Sequence, residues 1–138
     1  MEHAATVTRK RRRITARMAL VVLLSAYWLS MFLGTHMARV PKSLAGQGDK
    51  VLHLSAYAGL AVLLLAWRIS RGPATFRTVA LIWLMIAGYG AFDEITQPLV
   101  GRHCDFTDWI ADLIGAAVGL AVTWPVASRL FGRMRHSA

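Results

Sequence analysis

The sequence predicts an all-α integral membrane protein: about four transmembrane helices in a small bundle, with both termini in the cytoplasm. Three observations predict it. The hydrophobic fraction is 56% and the charged fraction 17%, against roughly 45–50% and about 25% in ordinary soluble domains. The apolar residues gather in four long runs. The basic residues form short clusters beside those runs, as the positive-inside rule arranges them. The net charge of +9 therefore does not indicate nucleic acid, which would call for a basic stripe with interleaved stacking aromatics. A length of 138 residues suits a single domain.

The first run is "MALVVLLSAYWLSMFLGTHMA", Met18 to Ala38. It is longer than a signal-peptide core, and cleavage after Ala38 would put bulky His36 where a small residue is needed, so it reads as an uncleaved span. The second run covers Val51 to Trp67 and is extended at its polar end by Asp49 and Lys50. The third runs from about Ala74 to Phe92 and the fourth from Trp109 to Ala127. Each approaches the roughly 20 residues that cross about 30 Å of hydrocarbon. Lipid forces backbone groups to be satisfied within each segment, so these are helices. The boundaries give a basic tail over 1–17, a membrane domain over 18–128 and a second basic tail over 129–138. The first dozen residues and the last few read as disordered. The five tryptophans read as interfacial anchors, and Cys104 as an incidental thiol that excludes an intrachain disulfide.

Counting Lys and Arg orients the chain. Six lie in the tail up to Arg17, and Arg68, Arg71, Arg77, Arg129, Arg133 and Arg135 fall on the same side after alternate crossings. Only Arg39, Lys42, Lys50 and Arg102 fall on the other. The termini are thus expected in the cytoplasm of an inner-membrane, multi-pass protein, with residues 39–50 and 98–107 outside. Six of the seven acids, Asp49, Asp93, Glu94, Asp105, Asp108 and Asp112, then lie at or near the outer face.

An aspartate at a helix centre costs about 2.5–3.5 kcal/mol on insertion scales, so such groups face a bundle interior or a wet cavity. Helical spacing puts Lys50, His53 and Tyr57 on one face of the second helix. Asp93 and Glu94 reach Gln97 at the end of the third. Asp105, Asp108 and Asp112 form a stripe at i, i+3 and i+7 that continues as Gly115 and Gly119, a close-packing pair directly beneath the polar groups. The expectation is an outward polar pocket where these helix ends converge, rimmed by Arg102 and His103. Pro98 and Gly101 let the loop between them turn tightly. Asp105, Asp108 and Asp49 also have ordinary readings as helix caps or dipole-favoured acids. Lys50 can snorkel, and Tyr57 can be a packing aromatic.

Three motifs, "DKVLHLSAYAGLAVLL", "DEITQ" and "GRHCDFTDWIADLIGAAVG", occur in this order over about half the chain. Together they resemble the VanZ-like membrane proteins. The matching positions are Asp49, Lys50 and His53; Asp93, Glu94 and Gln97; and Arg102, Asp105, Asp108, Gly115 and Gly119. Family members usually carry Asn where this chain has Asp112. The resemblance implies an envelope setting linked to glycopeptide-antibiotic resistance, and no particular reaction.

Two classes of function fit these residues. One is an intramembrane enzyme acting on a lipid-linked or phospholipid envelope substrate. In it Glu94, Asp93, His53 and Asp108 are the catalytic candidates, with Glu94 or Asp93 as general base and His53 as acid. Lys50, Arg102, Gln97, Asp105, Asp112 and Tyr57 are the substrate-binding candidates, the two cations holding phosphate or carboxylate. The other class is a non-catalytic envelope-ligand-binding or accessory protein that supports a larger membrane partner or forms a homo-oligomer. No HExxH or P-loop is present. The cofactor is open, and a divalent cation on Asp93, Glu94, Asp105 and Asp108 is a third, weaker reading.

Overall fold

The computed structural model describes residues 2–37 and 47–136. Among them there are four α-helices and no strand: α1 (Glu2–Thr35), α2 (Gln47–Ile69), α3 (Phe76–Thr96) and α4 (Phe106–His136). A 3-10 turn, Gln97–Val100, follows α3. All four helices are long and apolar enough to cross a membrane, over Ile14–Thr35, Gly48–Ile69, Phe76–Val100 and Phe106–Arg129. Arg39 and Lys42, counted above with the outer loops, lie outside the described residues.

The helices outrun their apolar cores at both ends of the chain. Residues expected to be disordered at the start belong to α1, because Ala, Arg and Lys are good helix formers and extend a helix already nucleated in the bilayer. α4 likewise passes through Pro125 to His136. Thr75 caps α3, its hydroxyl accepting from the Thr78 N–H. Gly101 ends the 3-10 turn at φ 79°, a left-handed conformation natural for glycine.

Successive helices alternate in direction, so α2 and α4 run parallel, both starting at the polar end of the bundle. They form its largest interface. A Cβ built on Gly115 would overlap the Leu54 carbonyl, and one on Gly119 would lie 2.5 Å from the Ala58 carbonyl oxygen. Leu54 and Ala58 are four residues apart, as are Gly115 and Gly119, so the two backbones meet in register. Gly59 similarly admits the phenol ring of Tyr27, which donates to the Ala56 carbonyl at 3.0 Å. Below the polar layer, Leu60, Ala61, Leu65, Ile82, Ile86, Ala116 and Leu120 form a buried apolar core.

Three of the five tryptophans bind neighbouring helices or their flanks. The indoles of Trp83, Trp109 and Trp124 donate to the carbonyls of Leu113, Ala87 and Ala74 at 3.0–3.1 Å. At the basic end, Arg17 of α1 donates twice to the Ser70 carbonyl just past α2, at 2.9 and 3.1 Å. α1 is the outlying helix. Only 6% of its apolar window is buried, against 28–33% in the other three.

Candidate functional site

The polar face of α2 meets the acidic stripe of α4 one turn at a time. Lys50 reaches Asp108 at 3.1 Å and Asp105 at 3.4 Å, and also contacts the Thr107 hydroxyl. One turn deeper, His53 Nδ1 lies 2.9 Å from Asp112 Oδ1. Deeper still, Leu54 and Ala58 lie against the two glycines. The parallel register of α2 and α4 sets these pairings, and the glycines permit the close approach that makes them direct.

α3 supplies the third wall. Glu94 Oε1 accepts from the Gln97 amide at 2.8 Å, and Oε2 accepts from the Asp105 backbone N–H at 2.9 Å. Glu94 is thereby held 3.9 Å from His53 Nδ1. His53, Glu94 and Asp112 are 3%, 3% and 0% exposed, so this is a buried centre of ionisable groups rather than an exposed rim. Tyr57 stacks on the His53 ring at 6.3 Å and is fully buried. Its hydroxyl and Asp112 Oδ2 have no hydrogen-bond partner among the described residues. Gly90 of α3 keeps room beside them, since a Cβ there would be 3.1 Å from Asp112 Oδ2 and 3.3 Å from the Tyr57 ring.

Asp93 takes a different direction from Glu94. Adjacent helical residues point about 100° apart, and Asp93 faces α1, where it accepts from the Thr35 hydroxyl at 2.9 Å. His36 Nδ1 is 3.6 Å from the same carboxylate, and its Nε2 is 3.0 Å from the Thr96 hydroxyl. This second cluster ties the end of α1 to α3. Thr35 and His36 were not singled out from the sequence, though an ionisable residue inside an apolar run is itself a signal.

Arg102 bridges the two clusters at the rim. It donates to Asp49 at 2.9 Å and to the Thr35 carbonyl at 3.1 Å. Asp105 caps α4, accepting from both the N–H and the hydroxyl of Thr107. Those two donors hold its carboxyl below the usual aspartate range. His103 and Cys104 are exposed on the connecting loop.

A groove of about 480 Å³ opens between α1 and α2. Asp49, Arg102, Thr35 and His53 line its polar end, and Met31, Leu52 and Ala56 line its body. Among the described residues, two sets of side chains bring potential metal-ligating atoms within 4.8 Å of one another: His53, Glu94 and Asp112, and Asp49, His53 and Asp108. Both sets centre on His53, and neither includes Asp93 or Asp105.

No curated protein and no solved structure matches the chain. The profile of the VanZ/LLP1 family matches residues 3–130, which spans all the residues of the polar layer described above. The chain is a multi-pass membrane protein that belongs to the VanZ/LLP1 family.

Proposed function

We propose that the chain is an intramembrane acid–base enzyme acting on an amphiphilic lipid of the cell envelope, with His53 as the proton-transferring group. One observation carries this reading. His53 gives its Nδ1 to the buried Asp112 carboxylate, while its Nε2 has no hydrogen-bond partner among the described residues, and the ring lines the α1–α2 groove. A neutral imidazole that donates from Nδ1 carries its lone pair on Nε2. Asp112 fixes that tautomer and stabilises the imidazolium formed when Nε2 takes a proton, as the acid of a catalytic triad does.

The expected roles shift accordingly. Both oxygens of Glu94 are already accepting hydrogen bonds, and Asp93 is turned toward α1, so of the four catalytic candidates His53 is the one that lines the groove with a free lone pair. It would take the proton of an attacking hydroxyl, from water or a lipid alcohol, and return it to the leaving oxygen of an ester or phosphoryl linkage. Glu94 adds negative potential beside the ring. The basic clusters at the other end of the bundle support an inner-membrane orientation with this site facing outward and both termini in the cytoplasm. The membrane domain would cover residues 18–128 between the two basic segments.

The test compares envelope lipids, by untargeted mass spectrometry, from cells lacking the chain and cells complemented with wild type, His53→Gln or Asp112→Asn at matched membrane levels. Wild type is expected to shift at least one lipid pool. His53→Gln should leave that pool as in the deletion. Asp112→Asn keeps a hydrogen bond but not the charge, and should slow the shift by about 10²–10⁴-fold. A lipid shift by His53→Gln equal to that of wild type would falsify the reading.

A second reading, a non-catalytic accessory protein, is favoured by the mutual neutralisation of the rim, where Lys50 and Arg102 each bind protein acids. On that reading no lipid pool changes with either variant, and a membrane partner or second copy co-purifies with wild type and variants alike.

A further inference from the structure

Among the described residues, the rim of the α1–α2 groove carries Arg102 and Asp49 side by side, and both retain unused capacity. Arg102 commits one N–H to Asp49 Oδ2 and one to the Thr35 carbonyl, leaving further guanidinium donors. Asp49 accepts through Oδ2 only, so its Oδ1 has no partner among the described residues. Their side chains are 11% and 20% exposed. The pair is thus anchored by the protein and still open on one side.

Position matters as much as charge. Asp49 lies in the first turn of α2, at the membrane-boundary end of its span. The groove then continues two helical turns deeper, past Leu52 and Ala56 to Tyr57. On the α1 side it is bounded by Tyr27, Met31 and Gly34, where none of the described residues comes within 4 Å of the glycine's Cβ position. A headgroup at the rim would therefore leave an attached chain running along an apolar channel at hydrocarbon depth. The volume falls within the usual range of small-molecule sites, roughly 300–1,000 Å³.

We propose that this groove binds a zwitterionic phospholipid, with Arg102 holding the phosphate, Asp49 the headgroup ammonium, and one acyl chain lying between α1 and α2. The substrate class follows from complementarity. A purely anionic headgroup gains Arg102 but meets the Asp49 carboxylate, and a like charge brought to an interface disfavours the wrong partner. A zwitterion satisfies both. The guanidinium suits a phosphate because its planar donors match the phosphate oxygens. The proposal rests on the reading above only in that the held headgroup lies beside His53, and its test is separate.

The experiment uses the purified full-length chain in detergent, titrated with phosphatidylethanolamine, phosphatidylcholine or phosphatidylglycerol and read by native mass spectrometry. Wild type is expected to retain either zwitterionic lipid about tenfold better than the anionic one. Asp49→Asn should abolish or invert that preference by strengthening phosphatidylglycerol retention. Arg102→Gln should weaken all three lipids by about tenfold. Should either single variant fail to fold, the charge-swapped double variant Asp49→Arg, Arg102→Asp keeps an ion pair there and should still prefer the zwitterions.

Equal or stronger retention of phosphatidylglycerol by wild type would overturn the proposal, and so would an unchanged preference in Asp49→Asn. Water-soluble glycerophosphoethanolamine should not displace the bound lipid. If it does so at equal concentration, the acyl chain contributes nothing and the groove assignment fails. Selective retention without His53-dependent lipid turnover removes the proposed chemistry and leaves this site standing. Turnover without selectivity does the reverse.

Discussion

Asp105 stands one residue before α4 and receives two hydrogen bonds from Thr107 while touching Lys50. These contacts lower its folded-state pKa from the ordinary value, so the sign of its contribution is fixed. A depressed carboxylate stabilises the fold fully above its unfolded value, near about 3.9. That stability is lost as pH falls through the lower folded value. Thr107→Val removes the hydroxyl and keeps the backbone donor. The variant is expected to melt below wild type at pH 6, with the gap narrowing toward pH 3 as Asp105 protonates in both proteins. Loss of the Thr107–Lys50 contact adds a constant offset, since Lys50 stays charged throughout that range. Thermal melting in detergent across pH 3–7 checks this, and a gap that does not vary with pH would refute it. The same residue shows how far side-chain direction can be read from sequence. The spacing of Asp105, Asp108 and Asp112 predicts one stripe, whereas Asp105 precedes α4 and only Asp108 and Asp112 lie on the helix itself. It could not separate a cap on the helix rim from a buried partner of His53, because that depends on where the helix begins. Nor could "DEITQ" reveal that Asp93 and Glu94 serve different clusters, since their partners Thr35 and Asp105 come from distant segments.

The pairing of α2 with α4 depends on two missing side chains. Gly115 and Gly119 bring the helix backbone against the Leu54 and Ala58 carbonyls, which are main-chain atoms and cannot rotate aside. Gly115→Val must therefore push the helices apart. Expected effects are a stability loss of about 1–3 kcal/mol or more from overpacking and separation of His53 from Asp112 one turn above. A cysteine pair placed across the interface in a Cys104→Ser background should cross-link more slowly in the valine variant. An equal rate would show that α4 can shift without opening the seam. This element-level feature was legible in the sequence, because small residues four apart beneath a polar stripe have few other uses in lipid. The ends of the elements were less legible. Hydropathy stops at the edge of the apolar run, whereas the helical hydrogen-bond ladder continues through "TRKRRRITAR" without regard to hydrophobicity.

At the scale of the whole molecule, charge is sorted along the bundle axis. Arg17, Arg68 and Arg71 gather where the apolar span of α1 begins and α2 ends, while the acids on the spans gather at the opposite end. The positive-inside reading makes this acidic end the outer one. Cys104, the single and exposed thiol, lies on the loop between α3 and α4 at that end. A membrane-impermeant thiol reagent is expected to label it in intact cells. Labelling that appears only after the cells are opened would reverse the orientation and move the search for a lipid substrate to the inner leaflet. The four long apolar helices were readable because lipid tolerates so few arrangements of charge. The groove was not, because it is a space between α1 and α2, and helix faces alone do not say how tightly two helices pack.

The parallel alignment of α2 and α4 also orders events during biosynthesis. A ribosome delivers α2 and α3 to the bilayer before α4 exists, so His53 and Lys50 enter without Asp112 and Asp108. Glu94 likewise waits for the Asp105 N–H that occupies its second oxygen. Until α4 inserts beside them, these polar groups lack their α4 partners in a medium that penalises unmatched charge. α4 is thus the segment that makes the polar residues of α2 and α3 compatible with the membrane.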